Sequence, residues 1–212
     1  MPGIYSGDER MAKYRKWLGA SSFEGNASLG GSYYASVIDE YYVTPYDLGY
    51  GNFVKFDHNF IGREALEKIA NKAHRVKVTL ELNDEDVQKV IASQYGKDGD
   101  RAKFLEFPSA VYSMYPQDKV LSKDGKQVGI STWVGYSSNE RKQLTLAYVA
   151  PEFSKPGTEV TFVWGEENGG SKKPTVERHK QVQIRAIVCP VPYVASVRTN
   201  YAEGSWRETG KL

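Results

Sequence analysis

The stretch VLSKDGKQVGISTWV, from Val120 to Val134, decides the fold. Asp124-Gly125 stands between two apolar runs, and an Asp-Gly pair supplies the backbone that a tight antiparallel hairpin requires. Outward from that turn, strands are expected over 120–122 and 128–134, then over Leu144 to Val149, Glu159 to Trp164 and a long run from Val176 to Val188. Upstream, Val76, Val78, Leu80 and Leu82 alternate with Lys77, Thr79, Glu81 and Asn83, the period of two that marks a half-buried strand. No long helical pattern interrupts the later runs. Five or six antiparallel strands therefore predict a small barrel or sandwich of Greek-key type.

The chain before this region reads differently. A short helix is expected over Asp8 to Leu18, a Ser-, Gly- and Asn-rich loop over Ser21 to Ser32, and one or two helical turns within Tyr33 to Tyr42. A turn at Asp47 to Gly51 precedes a strand at Phe53, Val54 and Phe56 and a helix from about Ile61 to Lys72, with Asn59 as its cap. Strand followed by helix suggests a half-sheet with a covering helix. A second amphipathic helix is expected over Asp84 to Tyr95, with Asp84 as cap and Val87, Val90 and Ile91 on one side. The change of character near residue 74 divides the chain into 1–74 and 75–212. The fold class is α+β, with a partial α+β segment followed by an antiparallel β-barrel.

Composition excludes several functions. The 212 residues carry 28 Lys and Arg against 26 Asp and Glu, a net charge of +2, so capture of nucleic acid or of an anionic membrane is not expected. No apolar run approaches the roughly 18 residues of a membrane span. The N-terminus lacks the features of a secretory signal, and the single Cys189 cannot form an intrachain disulfide, which points to the cytoplasm. His58, His74 and His179 show no metal-ligand spacing, and no nucleophile elbow, phosphate loop or dinucleotide fingerprint occurs. Cys189 reads as a small buried hydrophobe, Asp84-Glu85-Asp86 as a helix start, and Glu166 to Lys173 as a solvated hairpin tip.

The 15 Tyr, 8 Phe and 4 Trp make up 13% of the chain. Tyr suits half-wet places, which fits strands, a pocket for a flat ligand or a buried interface. Trp133-Val134-Gly135-Tyr136 puts two large aromatics beside a glycine at a strand end, where backbone can approach another group closely.

Three blocks together carry a family resemblance. Lys55-Phe56-Asp57-His58-Asn59-Phe60-Ile61-Gly62-Arg63-Glu64-Ala65-Leu66 resembles a segment of the glycine-cleavage T-protein (aminomethyltransferase) superfamily. Val128 to Thr132 with Leu144 to Val149 is similar to its paired barrel strands, and Pro156 to Val160 with Pro190 to Tyr193 is similar to its closing section. Within the superfamily, Phe23 to Ser32, Tyr41 to Gly51 and Val163 to Glu167 look most like the tetrahydrofolate-dependent O-demethylases that act on methoxy-aromatics such as vanillate and syringate.

The resemblance implies transfer of an aryl-ether methyl group to a pteridine nitrogen of tetrahydrofolate, without a metal, in a cavity between domains. It is confined to the C-terminal half of family members. On that reading 1–74 is the end of the folate-binding α+β region, 75–212 is the C-terminal barrel, and the segment that carries catalysis in the family has no counterpart, so no catalytic residue is transferred. Tyr46, Tyr50, Trp133, Tyr136 and Tyr193 are the expected cofactor-binding positions, since each lies in a family-like block beside Gly or Pro. The expected small-molecule partner of the parent is a methoxy-aromatic acid. The chain alone is expected to be inactive and to self-associate through 1–74, by Tyr33-Tyr34, Tyr41-Tyr42 and Phe53, or to pair with a missing N-terminal half. Two alternatives stay open: an aminomethyltransferase fragment, and a non-catalytic binding or assembly module.

Overall fold

Alternating side chains close into a wall. The computed structural model describes residues 9–18, 29–96, 100–105, 115–170, 176–201, 203, 204 and 207. The strands are β1 (Leu29–Gly30), β2 (Val76–Leu82), β3 (Tyr115–Pro116), β4 (Asp118–Leu121), β5 (Gln127–Ser137), β6 (Lys142–Val149), β7 (Glu159–Trp164) and β8 (Val182–Cys189). Six of them form a closed antiparallel barrel in the order β2-β6-β5-β4-β7-β8. β4, β5 and β6 follow one another as neighbours, and β7 returns to lie beside β4, the Greek-key arrangement expected. The Lys123–Lys126 turn is present with Gly125 at φ 78, a conformation that costs glycine nothing.

Val78, Leu80 and Leu82 of β2 point inward together with Val120, Val134, Ala147, Val149, Phe162, Ile184 and Val188. Each Val, Leu, Ile or Phe among them contributes on the order of 1.5–3 kcal/mol by leaving water. Helix α3 (Asp84–Ser93, numbered after α1, Ala12–Trp17, and α2, Arg63–Ile69) adds Val87 and Val90 to this core. Its cap is Asn83, whose side chain accepts the Asp86 N–H at 3.1 Å, one residue before the expected Asp84.

One irregularity in β5 matters for the site. Ser131 faces Ala147, yet Trp133 faces Leu146, so Thr132 is an extra residue in the strand. Such a bulge shifts the alternation by one. Ser131 and Val134 are both buried, whereas Trp133 is 49% exposed on the outer face.

The region before the barrel departs most from expectation. A second apolar cluster joins Leu18, Leu29, Ala35 and Tyr41 with Tyr14, Tyr33 and Tyr42, and Ile38–Tyr41 forms the expected helical turn. Where a strand was expected at Phe53, Val54 and Phe56, the chain makes a 3-10 turn at Gly51–Phe53 and no strand, because the closed barrel leaves no edge to pair with. The half-sheet inferred for 53–72 is therefore absent. Helix α2 is shorter than expected and is capped by Gly62, not Asn59; the Asn59 side chain instead accepts from Arg63 at 3.4 Å. Within the expected 21–32 loop, Leu29–Gly30 pairs in parallel with Tyr115–Pro116, and residues 21–28 lie outside those described. The last strand begins at Val182 instead of Val176.

Candidate functional site

Lys77, Thr79 and Glu81 face outward from β2. In register, Thr79 stands opposite Leu146, which stands opposite Trp133, and Glu81 stands opposite Leu144, which stands opposite Gly135. This outer wall is roofed by the segment after β8, where the Val191-Pro192 peptide bond is cis. Between wall and roof lies a cleft of about 320 Å³, lined by Trp133, Tyr136 and Tyr193 with Leu144, Leu146 and Thr79. That volume is near the ~300 Å³ lower bound for small-ligand pockets. Three of the five aromatic positions expected from the sequence thus meet in one place.

The roof is held by a carboxylate. The Tyr193 hydroxyl donates to Glu81 Oε2 at 2.7 Å, and Lys142 Nζ pairs with Glu81 Oε1 at 3.1 Å and with Asp84 at 2.6 Å. Burial lifts the Tyr193 phenol above its ordinary range and the bond to Glu81 lifts it further, so Tyr193 stays protonated with its proton committed. Arg198 donates to the carbonyl of Pro192 at 2.6 Å and to that of Tyr193. Cys189 is half-buried, its Sγ 4.0 Å from Glu81, and burial together with the Glu81 charge raises its thiol.

Tyr46 and Tyr50 lie apart from the cleft, on the chain entering β2. Tyr46 stacks on His74 with centroids 4.5 Å apart. Tyr50 is 51% exposed, with Lys77 Nζ 5.3 Å above its ring. Lys77 is one outward step from Thr79, about 7 Å along the strand. Asp47 anchors this turn: its carboxylate accepts from Thr44 N–H at 2.9 Å and from the Arg75 N–H at 3.2 Å. Arg75 in turn covers the Tyr148 ring at 4.3 Å, and burial pushes Tyr148 up to about 12.

A second polar centre lies under the segment 31–33. Asp118, fully buried on β4, accepts the Ser32 N–H at 2.8 Å. Glu166 Oε1 accepts from Gly31 N–H and from Lys103 Nζ, each at 3.1 Å. His179 Nδ1 stands 2.8 Å from the Glu177 carbonyl. Its Nε2 lies 3.0 Å from the Glu166 N–H and 3.2 Å from Glu166 Oε2; neutral, it accepts the first, and protonated, it donates to the second. Burial raises Glu166, but His179, Lys103 and the Gly31 N–H outweigh it and hold the carboxyl below the ordinary range. Burial pushes Asp118 up to about 6 against the pull of Lys103. Glu166, expected on a solvated hairpin tip, is instead a buried structural charge, because partners 63 and 13 residues away enclose it. Thr79 and Glu81 carried no motif and were visible in the sequence only as polar members of an alternating strand.

Among the described residues no helix is long and apolar enough to cross a membrane. Comparison with known proteins gives 59% identity over 97% of the chain to syringate O-demethylase of Sphingobium sp. (strain NBRC 103272 / SYK-6). The chain is a relative of syringate O-demethylase. It is also 34% identical, over 75% of its length, to sesamin methylene transferase of Sinomonas sp. (strain No.22). It spans 44% of the first protein and 35% of the second, less than half of either. Among solved structures, glycine cleavage system aminomethyltransferase T from Bartonella henselae matches at 16% identity with a TM-score of 0.44, over 71% of this chain and 32% of that one. No family model matches.

Proposed function

We propose that the chain is the C-terminal portion of a tetrahydrofolate-dependent O-demethylase that moves a methyl group from a methoxy-aromatic acid to tetrahydrofolate. The observation that carries this reading is the 59% identity to syringate O-demethylase along nearly the whole chain. Both relatives are named for the removal or transfer of a one-carbon group. The cleft supports the cofactor assignment for three of the five positions: Trp133, Tyr136 and Tyr193 offer aromatic surface to a flat ring, whereas Tyr46 and Tyr50 stand apart from it, against His74 and Lys77. No catalytic residue is assigned to this chain, and a cytoplasmic location belongs to the same reading.

The division into 1–74 and 75–212 belongs here too, supported by two separate apolar clusters, one within residues 14–42 and one within 78–188. Of the side chains expected to mediate association, Phe53 at 79% and Tyr34 at 59% are exposed, together with Val37 at 52%, whereas Tyr41 is buried in the chain's own cluster with Tyr33 and Tyr42 packed against it; the exposed ones would be covered by the remaining half of the parent or, without it, by a second copy. Titration of the chain with tetrahydrofolate by calorimetry tests the cofactor reading. Saturable heat that Trp133→Ala reduces at least several-fold is expected; equal binding by the variant would contradict the placement, and no binding would contradict the reading.

A further inference from the structure

We propose that Thr79 is the hydrogen-bonding anchor of a subsite that takes one uncharged planar ring between Trp133 and Tyr193; this rests on the reading of the cleft as a ligand site. Thr79 lies on the floor of the cleft, only 2% exposed, and its Oγ1 has no hydrogen-bond partner. An unpaired buried hydroxyl costs about 1–3 kcal/mol. A valine of nearly the same shape would fill the same space on β2 without that cost. Backbone pairing on both sides, to β6 through Leu146 and to β8 through Cys189, holds the hydroxyl in a fixed place. Such a group suits a ligand atom that supplies the missing bond on arrival.

The neighbouring groups define what the ring must look like. No residue lining the cleft carries a charge. Of the cations on the wall, Lys142 is taken up by Glu81 and Asp84 and Lys77 lies over the Tyr50 ring, while Arg198 is held by the roof carbonyls. A carboxylate entering here would lose water without gaining a cation, which costs far more than burying a neutral polar group. Because the Tyr193 proton is committed to Glu81, its oxygen can only accept from a ligand, whereas Thr79 Oγ1 can donate or accept. The fitting ligand is a neutral flat ring with a donor on one edge. The pteridine of a folate and the ring of a methoxyphenol both supply this chemistry.

The test is a set of titrations of the isotopically labelled chain followed by NMR, with 6-methyltetrahydropterin, 2-methoxyphenol, vanillate and tetrahydrofolate. Shifts at the Trp133 indole N–H and the Thr79 methyl are expected with the first or the second probe, and whichever binds identifies the source of the ring. Vanillate is expected to bind more weakly than 2-methoxyphenol. Thr79→Val is expected to weaken the neutral ring about threefold to tenfold, the size of one neutral hydrogen bond, with a melting temperature no lower than that of the parent chain. Thr79→Ser is expected to restore the affinity. Unchanged affinity in Thr79→Val, with binding lost in Trp133→Ala, overturns the anchor and leaves the cleft reading standing. Vanillate binding more tightly than 2-methoxyphenol overturns the uncharged-ring assignment. Absence of binding by all four probes overturns the cleft reading and the anchor together.

Discussion

Glu166 and Asp118 both feel the charge of Lys103, but their carboxyls are shifted in opposite directions from the ordinary range, Glu166 down and Asp118 up. Glu166 is held below its ordinary range, so its contribution to stability is present above the unfolded value near 4.5 and is lost as pH falls. Removing one partner of a buried pair costs about 3–5 kcal/mol. Glu166→Gln is therefore expected to lose about that much in urea unfolding at pH 7, and clearly less at pH 3. Asp118 is raised from 3.8 to about 6; the folded state binds the extra proton, and stability falls as pH rises through that window, by about 3 kcal/mol at about 1.4 per unit. Asp118→Asn is expected to raise stability at pH 7 and leave it nearly unchanged at pH 4. A larger loss at pH 7 than at pH 4 would contradict the assignment. At this scale the sequence was informative for aromatics beside Gly and Pro, and Trp133, Tyr136 and Tyr193 did converge. It was silent on Glu166, Asp118 and Thr79, whose surroundings are set by residues far away in the chain.

At the scale of elements, hairpins were legible and loops docked on the barrel were not. The Asp124-Gly125 turn and the alternation of 76–82 are local signals, and both elements form where expected. The strand at 53–56 failed because a strand needs an edge, and a closed barrel offers none. The Thr132 bulge leaves no local mark, yet it directs Trp133 outward. Because Thr132 is the extra residue, deleting it leaves Ser131 opposite Ala147 and Trp133 opposite Leu146 in regular alternation, with Trp133 still outward and Val134 inward; retained ring binding with only a small change in stability is expected, measured by chemical unfolding and the titration above, and loss of ring binding would contradict the assignment of the bulge. Gly31 shows the docking of a loop. Its φ is +98, and a Cβ there would meet the Gln117 carbonyl oxygen at 2.1 Å. Gly31→Ala is expected to detach 29–33 from the barrel, seen as faster hydrogen exchange at Ser32, whose N–H is held by Asp118.

At the scale of the molecule, the chain combines an enclosed barrel with a preceding region whose large side chains remain in water. Ile61 is fully exposed and Trp17 is 75% exposed. Light scattering at micromolar concentration is expected to show association that disappears when residues 1–74 are removed; a monodisperse monomer of the whole chain would contradict it. The family was legible because its motifs are long and lie in order. The arrangement of 29–75 was not, since those residues are placed by contacts with the barrel and, on the proposed reading, by surfaces of a half that this chain lacks. The most direct measurement is formation of methyl-tetrahydrofolate from syringate by the purified chain alone and mixed with the remaining half of the 59%-identical relative. No turnover alone and turnover in the mixture is the expected result; turnover by the chain alone at the rate of the intact relative, or none in a stable mixed complex, would contradict it.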